Sequence, residues 1–542
     1  MMLSPLAKRS LSRAQWLALV PVALVFGPLL PGLFWALAPV LDGVVWRDLW
    51  LDAQWPQALR ATLVSSVLGS ALALGLAMLL ATWHYPGALW RTLQRRLPLL
   101  LALPHAAFAV GLFFLLAPSG WLARLIAQLL QWSSPPDWIT VQDPYGLSLA
   151  LALALKESWF LLWVLAALLG EQPVRRQMVV ARTLGYSRAQ AWRLILWPQL
   201  LPRLGWPLAA VLAYGLSVVD MAIILGPNTP PTLAVLVWRW LTDPDAALQA
   251  RGSAASLVLL ALLLLAAALA HGLWHGRQRR RPDPDGLRQV TAARPWFKLP
   301  MPLFLTGYAV LAVLLLWSLA ETWFFPALWP DSLSWASWRT ADWAPFRTTL
   351  WLAAAVSLLC LPAALVWLEW GPQRYNAVLY LPLIVPAMPL VAAQYAALLK
   401  LQLDGTALGL VWSHLLWVLP YMVLTLVGAY RAFDARLLVS ARVLGCTRLQ
   451  ACLRVKWPLL VRPILATFAV GFAVSVAQYL PTLFAGAGRF VTVTTEAVAL
   501  SAGGNRRVLA VQALLQIALP VAAFALAAWL PHGLARHRKG LR

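Results

Sequence analysis

The chain alternates between long apolar stretches and short polar connections. Many apolar stretches run for 18 or more residues with few charges, long enough for a helix to cross about 30 Å of hydrocarbon. Because a bilayer core offers unpaired backbone groups no partners, each stretch is predicted to be a helix. Twelve spans are predicted, near residues 15–40, 60–82, 98–117, 147–170, 204–226, 253–275, 299–322, 348–370, 377–400, 407–430, 464–486 and 507–530. The predicted fold class is an all-α membrane protein with about 12 transmembrane helices.

Composition agrees with a membrane protein, since 61% of the residues are apolar and 11% are charged. The net charge of +24 would indicate nucleic acid binding in a soluble protein. Here the basic residues cluster at both termini, at 91–96 and at 276–289, whereas carboxylates such as Asp137 and Asp143 lie in the alternate loops. This asymmetry satisfies the positive-inside rule if both termini are cytoplasmic. We therefore predict a multi-pass membrane protein that has both termini in the cytoplasm, contacts lipids and binds no nucleic acid.

One basic segment occurs twice. "ARTLGYSRAQAWRLILWPQLLP" at 181–202 recurs as "ARVLGCTRLQACLRVKWPLLVR" at 441–462, at an offset of 260, and "LRATLVSS" at 59 resembles "FRTTLWLA" at 346. The repeats predict two homologous six-span halves related by a pseudo-two-fold axis along the membrane normal. The predicted N-terminal half is 1–275 with a basic segment at 171–203, the cytoplasmic linker is 276–298, and the C-terminal half is 299–542 with a basic segment at 431–463.

Each basic segment is predicted to form a helix, a turn and a second helix. Gly185 and Gly445 can adopt positive φ, and Ser187 and Thr447 are suited to cap the next helix. A basic amphipathic helix of this kind can lie on anionic lipid headgroups. Two copies that keep small and turn residues at fixed positions instead favour a fitted contact with a protein partner.

The repeated segment resembles the cytoplasmic coupling loop of binding-protein-dependent ABC importer permeases, whose pattern is Glu-Ala-Ala, three residues, Gly, nine residues, Ile, one residue, Leu-Pro. The matching residues are Ala181, Gly185, Ile195 and Pro198 in the first copy, and Ala441, Gly445 and Pro458 in the second. The departures are Val179 and Val439 for Glu, Val180 and Ser440 for the first Ala, Trp197 and Trp457 for Leu, and Val455 for Ile. The missing Glu removes any ion pair that depends on it.

The resemblance extends along the whole chain, because a fused pair of six-span permeases is the form found in the ferric-iron and thiamine permease group. Residues 217–240 and 475–500 are most similar to an uncharacterised thiamine-permease-like branch. The resemblance implies a transport subunit without catalytic residues that moves a small solute, delivered by a periplasmic solute-binding protein, into the cytoplasm. It also implies that each coupling loop docks on one of two copies of an ABC ATPase, which would hold ATP and Mg. The implied coupling residues are Ala181, Gly185, Arg188, Ile195, Pro198, Ala441, Gly445, Arg448 and Pro458.

No phosphate-binding Gly-x-x-x-x-Gly-Lys-Ser/Thr motif occurs in the sequence, so ATP hydrolysis is expected on a separate chain. No cofactor or metal is expected in this chain. His271 and His275 have the spacing of a metal pair, but they end a predicted helix beside a basic run, which is typical of a polar interfacial cap.

Two polar residues are candidates for the solute path. Asp220 ends "SVVD" and Gln478 ends "SVAQ", so the two are predicted to occupy matching positions and to face each other across the path. The alternative is that they only form hydrogen bonds between helices. The adjacent Lys156 and Glu157 are too close in sequence to share a helix face and are predicted to pair with other helices.

An ion-coupled secondary transporter is the alternative function, because such carriers also use two six-span halves. It would require a relay for the coupling ion, for which the sequence offers only Asp220 and the Lys156–Glu157 pair. A membrane enzyme is disfavoured, since no nucleophile, acid, base and metal ligands converge in sequence.

Cys360, Cys446 and Cys452 do not form a disulfide framework and are interpreted as structural thiols.

Overall fold

The computed structural model describes residues 12–279 and 305–535. Residues 280–298 of the predicted linker, Lys8 and Arg9 near the N-terminus, and the basic residues after 535 lie outside this part. The described residues are overwhelmingly helical, in agreement with the predicted class. The predicted spans correspond to Arg13–Phe26 with Leu29–Leu37 (span 1), Trp55–Leu63 with Val64–Leu68 and Gly69–His84 (span 2), Ala88–Leu101 with His105–Leu116 (span 3), Leu147–Leu169 (span 4), Gly205–Ser217 with Asp220–Leu225 (span 5), Ala246–Arg279 (span 6), Thr306–Leu319 (span 7), Ala344–Trp370 (span 8), Asn376–Ile384 with Ala387–Leu401 (span 9), Ala407–Arg431 (span 10), Val461–Ala477 with Leu480–Gly486 (span 11) and Arg506–Ala535 (span 12).

Shorter elements join the spans. The helices are Ala38–Leu41, Gly43–Trp50, Trp121–Leu130, Gln172–Thr183, Arg188–Gln190, Ala191–Leu196, Trp197–Arg203, Leu233–Leu241, Ala336–Thr340, Gln373–Tyr375, Ala435–Val443, Arg448–Ala451, Cys452–Lys456, Trp457–Leu459 and Val493–Ser501. Two short strands, Ala320–Thr322 and Ser332–Leu333, pair antiparallel with Ala320 opposite Leu333. This strand pair closes the loop between spans 7 and 8.

Not every predicted span is one straight helix. Within the described residues, eight helices are long and apolar enough to cross a membrane on their own. Span 9 bends by 101° at its break, and span 11 turns by 80° from the helical stretch that precedes it. Span 5 begins with a shorter apolar helix, and the described part of span 7 consists of one. The number of apolar segments therefore agrees with the prediction, while several are broken.

The internal repeat is also present in the fold. Span 5 breaks after Ser217 and span 11 breaks after Ala477, again at an offset of 260. The hydroxyl of Thr62 in span 2 accepts a hydrogen bond from the backbone N–H of Leu233 at 2.7 Å. In the other half, the hydroxyl of Thr349 accepts the corresponding bond from Val493 at 2.9 Å. The same long-range contact is thus formed twice, as expected of two homologous halves.

The first span of each half packs against the other half. The second helix of span 1 lies along span 9, where a Cβ on Gly32 would collide with the carbonyl oxygen of Ala393. Span 7 lies along span 3, where a Cβ on Gly111 would collide with Val310. Glycine allows these close approaches because it has no side chain. The halves are consequently interlocked, and one large apolar core extends through both.

A buried arginine joins the halves near the strand pair. Arg124 donates to the carbonyl oxygens of Phe324 and Ala327, both at 2.7 Å. Its guanidinium also lies over the ring of Trp323, 4.7 Å from the ring centroid. Since Arg124 belongs to the helix Trp121–Leu130 that follows span 3 in the N-terminal half, these bonds fix the loop of the C-terminal half to that helix.

Candidate functional site

The first repeated segment (residues 171–203) folds as two helices separated by a glycine. The helix Gln172–Thr183 ends before Gly185, which has φ of 85°. The N–H of Tyr186 bonds back to the carbonyl oxygen of Ala181 at 3.0 Å, a pattern that closes a helix end. Ser187 then caps the next helix together with Gln190, each side chain bonding the backbone N–H of the other. The predicted helix, turn and helix are therefore confirmed for this copy.

The second repeated segment (residues 431–463) has the same local structure. Gly445 has φ of 90°, and the N–H of Cys446 bonds the carbonyl oxygen of Ala441 at 3.1 Å. Thr447 and Gln450 form the same reciprocal cap. Each second helix continues into a wider π-helical turn, Ala191–Leu196 and Cys452–Lys456. This shared turn was not predicted, because no residue type marks it in the sequence.

The predicted coupling residues occupy three kinds of position. Ala181 and Ala441 are buried beneath the turn. Ile195 is half-buried within its π-helical turn, and Pro198 and Pro458 lie in the first turn of the helices that follow. The alanines and prolines thus contribute to the internal structure of each segment and not to its exposed surface.

Arg188 and Arg448 attach the two segments to the spans beside them. Arg188 donates to the carbonyl oxygen of Tyr85, the residue that ends span 2. Arg448 donates to the carbonyl oxygen of Glu369 at 3.0 Å, at the corresponding end of span 8. The structure therefore places both arginines at the junction between a repeated segment and the membrane domain.

Among the side chains that the structure describes, a buried ion network is found at the second junction and not at the first. Glu369 accepts from Lys456 at 2.7 Å, from Arg448 at 3.2 Å and from the hydroxyl of Tyr430 at 3.1 Å. The indole N–H of Trp457 in turn donates to the Tyr430 oxygen at 2.9 Å. Glu369 is not among the site residues predicted from the sequence. Its partners lie 79 and 87 residues away in sequence, so no local pattern reveals them.

The first repeated segment has a more exposed ion pair in place of this network. Leu196 stands where the second segment has Lys456, at the offset of 260. A salt bridge joins Arg203 to Glu171 at 2.6 Å, with both side chains more than two-fifths exposed. The two segments therefore have the same backbone conformation. They differ in their side-chain contacts, which are buried and charged in the second segment and more exposed in the first.

The same contacts determine the protonation of the segments. Hydrogen bonds from Arg203 hold the pKa of Glu171 below its usual value. Burial, reinforced by the nearby charge of Arg182, lowers the pKa of Arg188. Burial, together with the charge of Glu369, raises the pKa of the Cys452 thiol to about 11. Cys452 is consequently a protonated thiol at neutral pH, as its interpretation as a structural residue requires.

Each repeated segment exposes apolar side chains beside its arginines. Val179 is 59% exposed and its counterpart Val439 is 61% exposed. Leu184 and Leu444, which immediately precede the turn glycines, are also exposed. An exposed apolar patch at the same place in both copies is typical of a surface that contacts a partner. The valines stand where the importer pattern has Glu, so the patch is apolar where that pattern is charged.

The two residues predicted for the solute path do not occupy matching positions. Asp220 begins the short helix after the break in span 5, whereas Gln478 lies within the break of span 11, before Leu480–Gly486. At the offset of 260, Asp220 corresponds to Leu480, and Gln478 corresponds to Val218. The similarity of "SVVD" and "SVAQ" misaligned the helices by two residues. Both residues nevertheless lie at the equivalent breaks of spans 5 and 11.

Lys156 and Glu157 of span 4 pair with neighbouring helices, as predicted. The ammonium of Lys156 donates to the carbonyl oxygen of Leu100 at 3.2 Å. Glu157 Oε1 lies 2.9 Å from Nε2 of His105. The ring centroids of His271 and His275 lie 4.2 Å apart in an edge-to-face arrangement on the exposed surface of span 6.

Comparison with known proteins identifies relatives along nearly the whole chain. The family model described as the inner membrane component of binding-protein-dependent transport systems matches residues 374–533, which include the second repeated segment. The inner membrane ABC transporter permease protein YnjC of Escherichia coli (strain K12) is 43% identical over 522 residues. That match covers 96% of this chain and 97% of YnjC.

Proposed function

Because this chain belongs to the family of inner membrane components of binding-protein-dependent transport systems, we propose that its two repeated segments are docking sites for two copies of a separate ABC ATPase. The chain is the permease subunit of an ABC importer in the inner membrane. The family favours this function over an ion-coupled secondary transporter. The proposal goes further in two respects: it assigns the docking sites of the ATPase, and it describes how movement of the ATPase is transmitted to the transmembrane spans.

The repetition of one exposed local structure carries the proposal. Both copies present a turn glycine at positive φ, a capped short helix and an exposed apolar patch. A surface that bound only lipid headgroups would need an amphipathic pattern but no fixed turn. Two equal docking surfaces suit a symmetric pair of partner subunits. ATP and Mg would then be held by the partner, and both repeated segments would be cytoplasmic.

The arginines at the junctions provide a physical route for coupling. Arg188 and Arg448 attach the capped helices to the ends of spans 2 and 8. The segments continue directly into spans 5 and 11, which contain the matched breaks. Displacement of a docked helix would therefore move these broken spans relative to spans 2 and 8. A periplasmic solute-binding protein would deliver the solute on the opposite face.

Stoichiometry tests this proposal. The tagged chain is purified in mild detergent together with its chromosomally encoded partners, and the bound subunits are identified and counted by native mass spectrometry. We expect an ABC ATPase at two copies per chain. A chain that is stable and active in uptake without any ATPase, or one that retains a single copy, would contradict the proposal of two equal docking sites.

Both termini and both repeated segments are proposed to be cytoplasmic. Cysteines introduced at exposed Leu184 and Leu444, in a chain whose native cysteines are replaced, should react with a membrane-impermeant thiol reagent only in inside-out vesicles. A cysteine at exposed Trp335 in the loop between spans 7 and 8 provides the control, since it should react only in right-side-out vesicles. Reaction of all three from the same side would contradict this topology.

A further inference from the structure

The break of span 11 is held by a buried histidine of span 10. The first helix of span 11 ends at Ala477, and the second begins at Leu480. His414 Nδ1 lies 2.9 Å from the hydroxyl oxygen of Ser475, before the break, and Nε2 lies 2.9 Å from that of Thr482, after it. An imidazole with a single N–H donates from one ring nitrogen and accepts at the other, and hydroxyl groups can do either. One side chain therefore fixes both sides of the break relative to span 10.

A second pair of side chains fixes the same break to span 12. The amide of Gln516 in span 12 donates to the hydroxyl of Thr494 at 2.7 Å, and both residues are buried. That hydroxyl in turn donates to the carbonyl oxygen of Val476, in the last turn before the break. The last carbonyl groups of a helix have no donors within it, so Thr494 supplies one. The break of span 11 is thus fixed by spans 10 and 12 of its own half.

The break of span 5 has none of these side chains at the corresponding positions. Spans 4, 5 and 6 correspond to spans 10, 11 and 12 at the offset of 260. The residues at the five positions are Ala154, Gly215, Ala222, Ala234 and Ser256. The first four have no polar side-chain atoms, and the hydroxyl of Ser256 donates within its own helix, to the carbonyl oxygen of Ser253 at 2.7 Å. The contacts that fix span 11 therefore cannot form at span 5.

The break of span 5 is bonded to the opposite half instead. The hydroxyl of Ser217, the last residue before the break, accepts a hydrogen bond from the N–H of Ala387 at 3.1 Å. Ala387 begins the second helix of span 9, just after the bend of 101°. Ala477, the counterpart of Ser217, has no hydroxyl group. Movement of one half relative to the other consequently acts directly on the break of span 5.

Span 10 also connects the break of span 11 to the second repeated segment. Tyr430 lies near the end of the helix that contains His414. Its hydroxyl donates to Glu369 at 3.1 Å and accepts from the indole N–H of Trp457 at 2.9 Å. Gly170 occupies the corresponding place at the end of span 4 and has no side chain for such a connection. The second repeated segment, span 10 and span 11 are thereby connected as one body.

We propose that the two halves move unequally during import: span 5 bends at its break, while span 11 keeps its shape and moves as one body with span 10. His414, Thr494 and Gln516 are then positioning residues that fix span 11. Displacement of the first repeated segment changes the conformation of its half, and displacement of the second moves its half as a unit. This inference rests on the proposed import function, because it concerns how movement of the repeated segments reaches the spans.

Spin-label distances across the two breaks test the inference. Trp206 and Thr229 are exposed on either side of the break of span 5. Ala466 and Arg489 are exposed at the matching positions around the break of span 11. Each pair is replaced by cysteines and labelled in a chain whose three native cysteines are replaced by alanine. Double electron–electron resonance is recorded on the purified chain with its bound partners in nanodiscs, without nucleotide and after trapping with ATP and vanadate.

Without nucleotide, we expect a broader distance distribution for Trp206→Cys/Thr229→Cys than for Ala466→Cys/Arg489→Cys. Trapping should shift the mean distance of the first pair by at least about 2 Å, the scale of helix shifts in switching proteins. The mean distance of the second pair should not change, because its break is fixed on two sides.

Releasing the break of span 11 should make it behave like the break of span 5. His414→Ala should broaden the distribution of the second pair and allow it to shift on trapping. Thr494→Val should act in the same direction with little change in side-chain volume, which separates the lost hydrogen bonds from a packing defect. Thr425→Ala is the matched control, since this exposed hydroxyl of span 10 donates to the carbonyl oxygen of Tyr421 in its own helix at 2.7 Å. Both distributions should stay unchanged in that variant.

Equal shifts of the two pairs on trapping, a shift of the second pair alone, or no shift of either would overturn the proposal. A distribution across the break of span 11 that stays narrow in both His414→Ala and Thr494→Val would also overturn it. The ATPase count is a separate result. A chain that retains no ATPase would reject the docking proposal, whereas the widths measured without nucleotide would still test the fixed break, and equal widths would reject it.

Discussion

Glu369 of span 8 is the centre of the buried network that distinguishes the junction of the second repeated segment from that of the first. It accepts hydrogen bonds from Lys456 and Arg448 at the second junction while its own side chain is only 6% exposed. We expect Glu369→Gln to leave the Lys456 ammonium without a counter-charge and to cost about 1.5–3 kcal/mol, the usual contribution of hydrogen bonds to charged groups. The midpoint of thermal unfolding in nanodiscs should fall, and coupling of ATP hydrolysis to transport should weaken.

Glu171→Gln is the matched control for Glu369→Gln. It removes a carboxylate that also pairs with an arginine, but its salt bridge is exposed to solvent. Exposed ion pairs contribute little because water and salt screen them. The unfolding midpoint should therefore stay unchanged in Glu171→Gln. Equal shifts in the two variants would contradict the importance of the buried network.

Local residue patterns predict a structural feature correctly where that feature depends only on neighbouring residues. Gly185, Gly445, Ser187 and Thr447 were predicted correctly, because positive φ and helix capping depend on neighbours within a few residues. Glu369 was missed because its partners come from distant parts of the chain. The alignment of Asp220 with Gln478 was wrong because four similar letters were matched without knowledge of where the helices break.

The break between the two helices of each repeated segment is the element that determines its shape. A Cβ on Gly445 would meet no neighbouring atom, so any cost of substitution there comes from the backbone at φ of 90°. We expect Gly445→Val to cost about 1–2 kcal/mol locally and to redirect the capped helix. Gly185→Val should do the same in the first copy. Both variants should insert into the membrane but lose bound ATPase, or hydrolyse ATP without transport.

Gly428→Val supplies the control for these glycine substitutions. Gly428 is exposed in span 10, and a Cβ there also meets no neighbour. Its backbone is helical, so the substitution should leave ATPase retention and transport intact. The same loss in Gly428→Val would show that added bulk, rather than backbone conformation, is responsible. Unchanged transport in both Gly185→Val and Gly445→Val would contradict the docking assignment.

Helix content could be predicted from the sequence, but helix shape could not. Apolar length identifies a span because backbone groups must pair within the membrane. Hydropathy does not distinguish a straight helix from one that bends by 101°, as span 9 does, since the helices on both sides of the break are apolar. The π-helical turns are hidden for a similar reason, because their residues are ordinary helix formers.

At the scale of the whole molecule, the first span of each half packs against the other half, and this exchange of first spans determines how the halves are held together. Span 1 lies on span 9 and span 7 lies on span 3, so each half covers the other. The sequence could predict two halves from their repeats, but not this exchange. Hydropathy identifies each helix separately, and in lipid the choice of neighbour depends on close packing at small residues rather than on hydrophobicity.

The exchange predicts that the covalent linker is dispensable. When residues 1–275 and 299–542 are expressed as separate chains, we expect a tag on one to recover the other, because spans 1 and 7 still clasp the opposite half. Gly32→Leu should sharply reduce this recovery, since the new side chain would collide with the carbonyl oxygen of Ala393 and overpacking costs about 1–3 kcal/mol. Gly75→Leu in span 2, where a Cβ meets no neighbour, should leave recovery unchanged. If Gly32→Leu were recovered as well as Gly75→Leu, the contact of span 1 with span 9 would not be what joins the halves, and the junction would have to depend on other contacts such as those of Arg124.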